Sequence, residues 1–152
     1  MKPIRNSAKA VILQEGKLLL TKNQDEQGFF YLFPGGGQEF GEELIHAVIR
    51  ECMEEIGAEI VVHDLIHVRE YIGKNHQFAD WDSNVHQVEF YFTCQLRDTH
   101  ANISNGINPD SYQVGVEWVD LGALEEIRLY PKTLGTILKN KMESSIYIGD
   151  VN

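Results

Sequence analysis

The chain has only two cysteines, Cys52 and Cys94, and they do not form a CxxC pair. That excludes a disulfide scaffold and implies buried thiols in a reducing compartment. No apolar run approaches the roughly 18 residues of a membrane span, and MKPIRNSAK has no apolar signal-peptide core. A cytoplasmic protein without a membrane partner is therefore expected. Positive charge is also scarce: 13 Lys and Arg stand against 23 Asp and Glu, a net charge of −10. Duplex nucleic acid is not expected as a partner, because phosphate backbones are gripped by clustered Lys and Arg. An acidic chain can still reach phosphate when a metal ion intervenes. The familiar local signatures are missing too: there is no GK[ST] after a glycine run, no HExxH and no DxDxDG loop.

What is present centres on Gly36 to Ala58. Gly35, Gly36 and Gly37 read as a loop, and Glu42 to Ile56 contains neither Gly nor Pro and reads as a helix, with Gly57 as its stop. At the helical period, Ile45, Val48, Ile49, Cys52 and Ile56 form an apolar stripe suited to docking on a sheet. Glu51, Glu54 and Glu55 converge on another face, with the small Ala47 one turn before Glu51 leaving room there for something bulky. Three carboxylates near a helix C-terminus repel one another and also face the negative end of the macrodipole. Arg50 is one cation against three, and its planar fork suits holding a carboxylate in place. A hard divalent ion with oxygen ligands completes the arrangement, and Mg²⁺ typically keeps waters and substrate phosphate oxygens beside a few carboxylates.

These residues resemble the Nudix box. Gly36, Glu42, Arg50, Glu51, Cys52, Glu54, Glu55, Gly57 and Ala58 fall at its positions, with Cys52 and Ala58 where larger aliphatic residues are usual. The resemblance implies an enzyme that cleaves the pyrophosphate bond of a nucleoside diphosphate linked to another moiety. Its partner would be a small nucleotide or diphosphate, with Mg²⁺ as cofactor and Mn²⁺ as a substitute. It also implies Glu51, Glu54, Glu55 and the Gly35 carbonyl as metal ligands, Arg50 as a residue that orients a ligand carboxylate, and Glu42 as a structural partner. Glu54 is the first choice for the catalytic base, with Asp80, Asp82 and Glu89 as alternatives. The competing reading is a nucleotide-sensing module that keeps the fold without the chemistry. A homodimer is compatible with this family.

One domain over residues 1–152 is expected, since the length and the 43% hydrophobic content suffice for one sizeable core. Ser7 to Leu13 and Lys17 to Lys22 read as a hairpin, and Phe29 to Phe33 as a third strand. Glu59 to Gly73 fits a long strand, Asn75 to Asn84 an exposed loop, and Gln87 to Leu96 an interior strand. Asp98 to Gln113 is a second loop and Val114 to Val119 a further strand. Leu121 to Ile127 is at most a short helix, Pro131 opens another helix running to about Met142, and the tail after Ser144 has no clear pattern. The class is α/β or α+β, and the resemblance implies a mixed β-sheet sandwiched between helices. Phe78 and Trp81 are candidates to stack a nucleobase and Arg69 to touch phosphate. His63 and His67 lack metal-ligand spacing and are read as structural, while His76 and His86 flank the aromatic loop, where a ligand role stays open beside a structural one.

Overall fold

Successive side chains of β1 (Arg5–Gln14) point to opposite sides of a sheet, and both sides are covered. Ala8, Ala10 and Ile12 face the first helix, while Val11 joins a second apolar cluster on the other side. The next strand, β2 (Lys17–Asp25), repeats the division, with Leu19 in the first cluster and Leu18 and Leu20 in the second. The computed structural model describes residues 2–152. Its further elements are β3 (Gly28–Leu32), β4 (Gly35–Gly37), α1 (Leu44–Ile56), β5 (Ile60–Ile72), α2 (Ala79–Asp82), β6 (His86–Leu96), β7 (Gln113–Asp120), β8 (Leu129–Tyr130), α3 (Lys132–Asn140) and β9 (Tyr147–Asp150).

The main path through the sheet runs β8-β3-β2-β1-β6-β5-β9, with β4 paired to β1 and β7 to β2. The β1–β6, β5–β9 and β3–β8 pairs are parallel and the others antiparallel. Helix α1 supplies Val48, Cys52 and Ile56 to the first cluster, and α3 supplies Leu134 to the second. This is the mixed sheet between helices expected from the resemblance. Burying each such aliphatic side chain stabilises the fold by about 1.5–3 kcal/mol, which fixes α1 against the sheet. Both cysteines are free and buried. No helix among the described residues is long and apolar enough to cross a membrane.

Several local expectations need correction. The three glycines are not loop: Gly35, Gly36 and Gly37 pair with Lys9, Ala8 and Ser7 as a short strand. Helix α1 begins at Leu44 instead of Glu42. Ile45 is 42% exposed, whereas Ala47 is fully buried, so the space beside Ala47 is filled by the protein itself. The Asn75–Asn84 loop includes the single helical turn α2, and Leu121–Ile127 shortens to a 3-10 turn at Leu121–Ala123. The tail forms β9 against β5. Glu89 on β6 is buried, because that side of the strand faces the interior of a cleft.

Candidate active site

The box helix ends in Gly57, which adopts φ 66° and donates its N–H to Met53 O, a conformation that favours glycine. The last carbonyls of α1 are then satisfied by the loop preceding β7. Gly106 N–H donates to Glu55 O at 2.9 Å and Asn108 N–H to Glu54 O at 3.0 Å. Gln113 Nε2 adds a second donor to Glu55 O at 2.7 Å. Gly106 has to be glycine for this docking, since a Cβ there would lie 2.3 Å from Glu54 O. The docked loop brings Asp110 beside Glu55, where the two carboxyls interact directly. Asp110 was not legible as a site residue, because it lies far along the chain from the box in a stretch read only as loop.

Arg50 organises the acidic face. Its Nε and Nη2 grip both oxygens of Glu42 at 2.8 and 3.0 Å, and Nη2 also donates to Gly37 O at 2.9 Å. The remaining nitrogen, Nη1, donates to Glu51 at 3.1 Å and to Glu54 at 3.4 Å, so two box carboxylates are gathered around one positive group. The fork holds the Glu42 carboxyl down at about 2. Glu51 tucks against Gly36, where a Cβ would sit 2.7 Å from its carboxyl carbon. Burial raises the Glu51 carboxyl despite the contact with Arg50.

Glu55 is only 2% exposed. It accepts the Gly35 N–H at 2.9 Å, but burial, with a contribution from Asp110, pushes its carboxyl up to about 8 even though Lys9 opposes the shift. The charged form of Glu55 is thus poorly compensated by its surroundings. Among the described residues, no three Asp, Glu, His or Cys side chains are drawn together tightly enough to cage an ion. The donor chemistry nevertheless fits a hard divalent ion: carboxylate oxygens on one helix face, an under-neutralised buried Glu55, and glycine backbone that no Cβ obstructs.

The sign of the pH dependence follows from Glu55. Its folded pKa of about 8 lies above the unfolded value of 4.5, so its contribution to stability is complete below the unfolded value and is lost as pH rises through the folded one. Glu51 shifts in the same direction. The melting temperature of chelator-treated protein is expected to fall between about pH 5 and about pH 8, and a pH series of thermal melts checks this. A flat or rising melting temperature over that interval would contradict the assignment.

The glycine strand also borders a cleft of about 930 Å³. Arg5, Lys9, Gly35 and Asp110 line it together with Phe30, Phe78, Trp81 and Tyr130, whereas Glu51, Glu54 and Glu55 do not. Phe78 packs edge-on to Tyr130, with centroids 5.8 Å apart, whereas Trp81 is 79% exposed. Arg69 reaches the cleft, but its Nε donates to Glu89 at 2.8 Å and its Nη1 to Val151 O at 2.5 Å. Burial raises the Glu89 carboxyl, but Arg69 and Lys9 overcome this and hold it below its usual value. Of the other acids considered as bases, Asp82 lines the cleft and accepts the Tyr71 hydroxyl at 2.7 Å. Asp80 is exposed on α2 and does not line the cleft. Three of the four histidines have partners: His67 Nδ1 lies 3.1 Å from Ser145 O, His76 Nε2 2.6 Å from Asp150, and His86 Nε2 2.8 Å from Glu70.

A family model described as NUDIX domain matches residues 3–139. The chain belongs to the Nudix family. It is 32% identical over 96 residues to a CTP pyrophosphohydrolase of Escherichia coli (strain K12), a match covering 60% of this chain and 68% of that protein. With nucleoside triphosphatase NudI of Salmonella agona (strain SL483) it shares 36% identity over 58 residues, or 36% of this chain and 41% of the relative. A solved NUDIX hydrolase from Nitrosomonas europaea shares the fold, with a TM-score of 0.70 at 19% identity over 91% of this chain and 90% of that one. Gly36 to Ala58 is thus the Nudix box of this chain; its helix meets the glycine strand through the Gly35 N–H to Glu55 bond, and that strand, not the helix, lines the cleft.

Proposed function

We propose that this Nudix protein is a divalent-ion-dependent pyrophosphohydrolase acting on a nucleoside triphosphate or a related nucleoside diphosphate derivative. The observation that carries the reading is the buried, under-neutralised Glu55, which is joined to the cleft-lining Gly35 and influenced by the cleft-lining Asp110, in a cleft that also has aromatic walls. Glu51, Glu54, Glu55 and the Gly35 carbonyl would hold Mg²⁺ or Mn²⁺, with Asp110 as an additional oxygen donor. The bound ion would supply charge neutralisation on the phosphate oxygens and a more acidic water. Arg50 is a positioning residue that aims Glu51 and Glu54.

Glu54 is assigned the proton-accepting role. Beside Glu51, which is 15% exposed, and the buried Glu55 it is the most exposed of the three acids, at 29% of its side chain, and its hydrogen bond from Arg50, at 3.4 Å, is the longer of the two that Nη1 donates. It is therefore the freest to meet a water. Phe30, Phe78, Trp81 and Tyr130 offer faces and edges suited to a nucleobase. The nucleotide named for the Escherichia coli relative makes CTP the first substrate to try. The test is a panel of nucleoside triphosphates, sugar nucleotides, ADP-ribose and dinucleoside polyphosphates assayed with Mg²⁺, with products identified by mass. A nucleoside monophosphate and pyrophosphate from at least one triphosphate, abolished by chelator, is the expected outcome. Tight nucleotide binding without cleavage in Mg²⁺ or Mn²⁺ would favour the sensing module instead.

A further inference from the structure

Lys9 is an unusual residue for its position. It lies in the interior of β1, flanked in register by Gly35 of β4 and Tyr91 of β6, and its side chain points into the cleft. Lysines are rarely drawn inside a fold unless paired. This one is half-buried, yet among the described residues no Asp or Glu oxygen comes within 4.0 Å of its ammonium. The group instead donates to Gly35 O at 3.2 Å and Phe33 O at 3.4 Å. Those bonds use two of its three protons, and the third has no protein acceptor. The neighbouring backbone cannot move aside, since Gly35 has φ 130° and packs so closely on β1 that a Cβ would lie 2.1 Å from Ala8 O.

The other cations of the cleft are differently placed. Arg69 is bound to Glu89 and the Val151 carbonyl, and Arg5 is exposed at the rim. Lys9 alone combines partial burial with freedom from a carboxylate partner. A compact ammonium with a spare donor is suited to the non-bridging oxygens of a phosphate, where it acts as a point charge. Its field already reaches the carboxylates of Glu55 and Glu89 on either side.

We propose that Lys9 is the resident cation of the pyrophosphate site, donating to the diphosphate oxygens and sharing the Gly35 carbonyl with the divalent ion. This rests on the reading of the cleft as an ion-dependent diphosphate site. It gives Lys9 a binding role that the box does not contain. Because the ammonium already sits on Gly35 O, it opposes ion entry when no phosphate is bound and favours phosphate once the ion is in place.

The test uses the full chain after chelator treatment, with Mn²⁺ alone and with inorganic pyrophosphate in Mn²⁺ as probes, both followed by calorimetry. Lys9→Met is expected to bind pyrophosphate about tenfold to a hundredfold more weakly, the range for losing a charged hydrogen bond, and to bind Mn²⁺ alone more tightly than the wild type. Lys9→Arg, which keeps the charge, is expected to recover most of the pyrophosphate affinity. A merely structural lysine would instead lower the melting temperature and weaken both ligands, and that result overturns the proposal. So does pyrophosphate affinity of Lys9→Met within about twofold of wild type, a change too small for a lost charge contact. If the wild type takes up neither Mn²⁺ nor pyrophosphate, both the proposal and the reading of the site fail. If it takes up both and Lys9→Met is unchanged, only the proposal fails.

Discussion

Glu55→Gln is expected to reduce turnover by about 10²–10³-fold, the scale on which a single pre-aimed electrostatic group contributes to a transition state, while leaving the fold intact. The two effects separate because Glu55 is buried and its charge is poorly compensated without an ion. The amide keeps the shape of the side chain and can still accept the Gly35 N–H, so packing is preserved. It removes the charge that an ion would meet. It also removes the unfavourable approach of Asp110, so the metal-free variant should be at least as stable as wild type near pH 8, where wild-type Glu55 would begin to ionise. Steady-state kinetics with Mg²⁺, together with melts of the chelator-treated proteins, check both halves. Near-normal turnover in a well-folded variant would remove Glu55 from the site.

Arg69→Leu is expected to destabilise the protein by about 3–5 kcal/mol, the usual consequence of stripping one partner from a buried ion pair. Arg69 and Glu89 are both about 5% exposed, and Tyr91 donates its hydroxyl to the same Glu89 oxygen that Arg69 holds. Without the guanidinium, Glu89 keeps a buried charge with only the Tyr91 hydroxyl and the more distant Lys9 to offset it, and the Val151 carbonyl loses its donor. The double variant Arg69→Leu/Glu89→Leu should recover a large part of the loss, since apolar replacement of both partners is often close to neutral. Urea unfolding of the two variants and wild type measures this. Equal stability of Arg69→Leu and wild type would show that the pair does not hold β5 to β6.

The box itself was legible because it is local. Gly36, Arg50, Glu51, Glu54, Glu55 and Gly57 lie on one short segment, and helical spacing alone puts the three acids on one side of α1. The hairpin, β3, β5 and β6 were readable for the same reason, since alternation and turn residues report on near neighbours. What escaped is non-local. Asp110 joins Glu55 only because Gly106 and Asn108 dock on the end of α1, a backbone event with no residue pattern. Lys9 was passed over inside a strand, and only its pairing with Gly35 shows where its ammonium goes. The strands β4 and β9 depend on partners far along the chain, which neither the glycine run nor the short tail names. The orientation of α1 was read slightly wrong because apolarity was taken to mark the buried side. The acidic face is itself partly interior, with Ala47 and Glu55 buried and Ile45 turned outward.

The central claim is that the acidic side of one helix holds an inorganic cation that links it to a diphosphate. Calorimetric titration of chelator-treated protein with Mn²⁺, in the presence of a non-hydrolysable nucleoside triphosphate, tests it most directly. Saturable uptake of Mn²⁺ that is strongly weakened in Glu55→Gln is the expected result. No Mn²⁺ uptake by the wild-type protein, with or without the nucleotide, would contradict it.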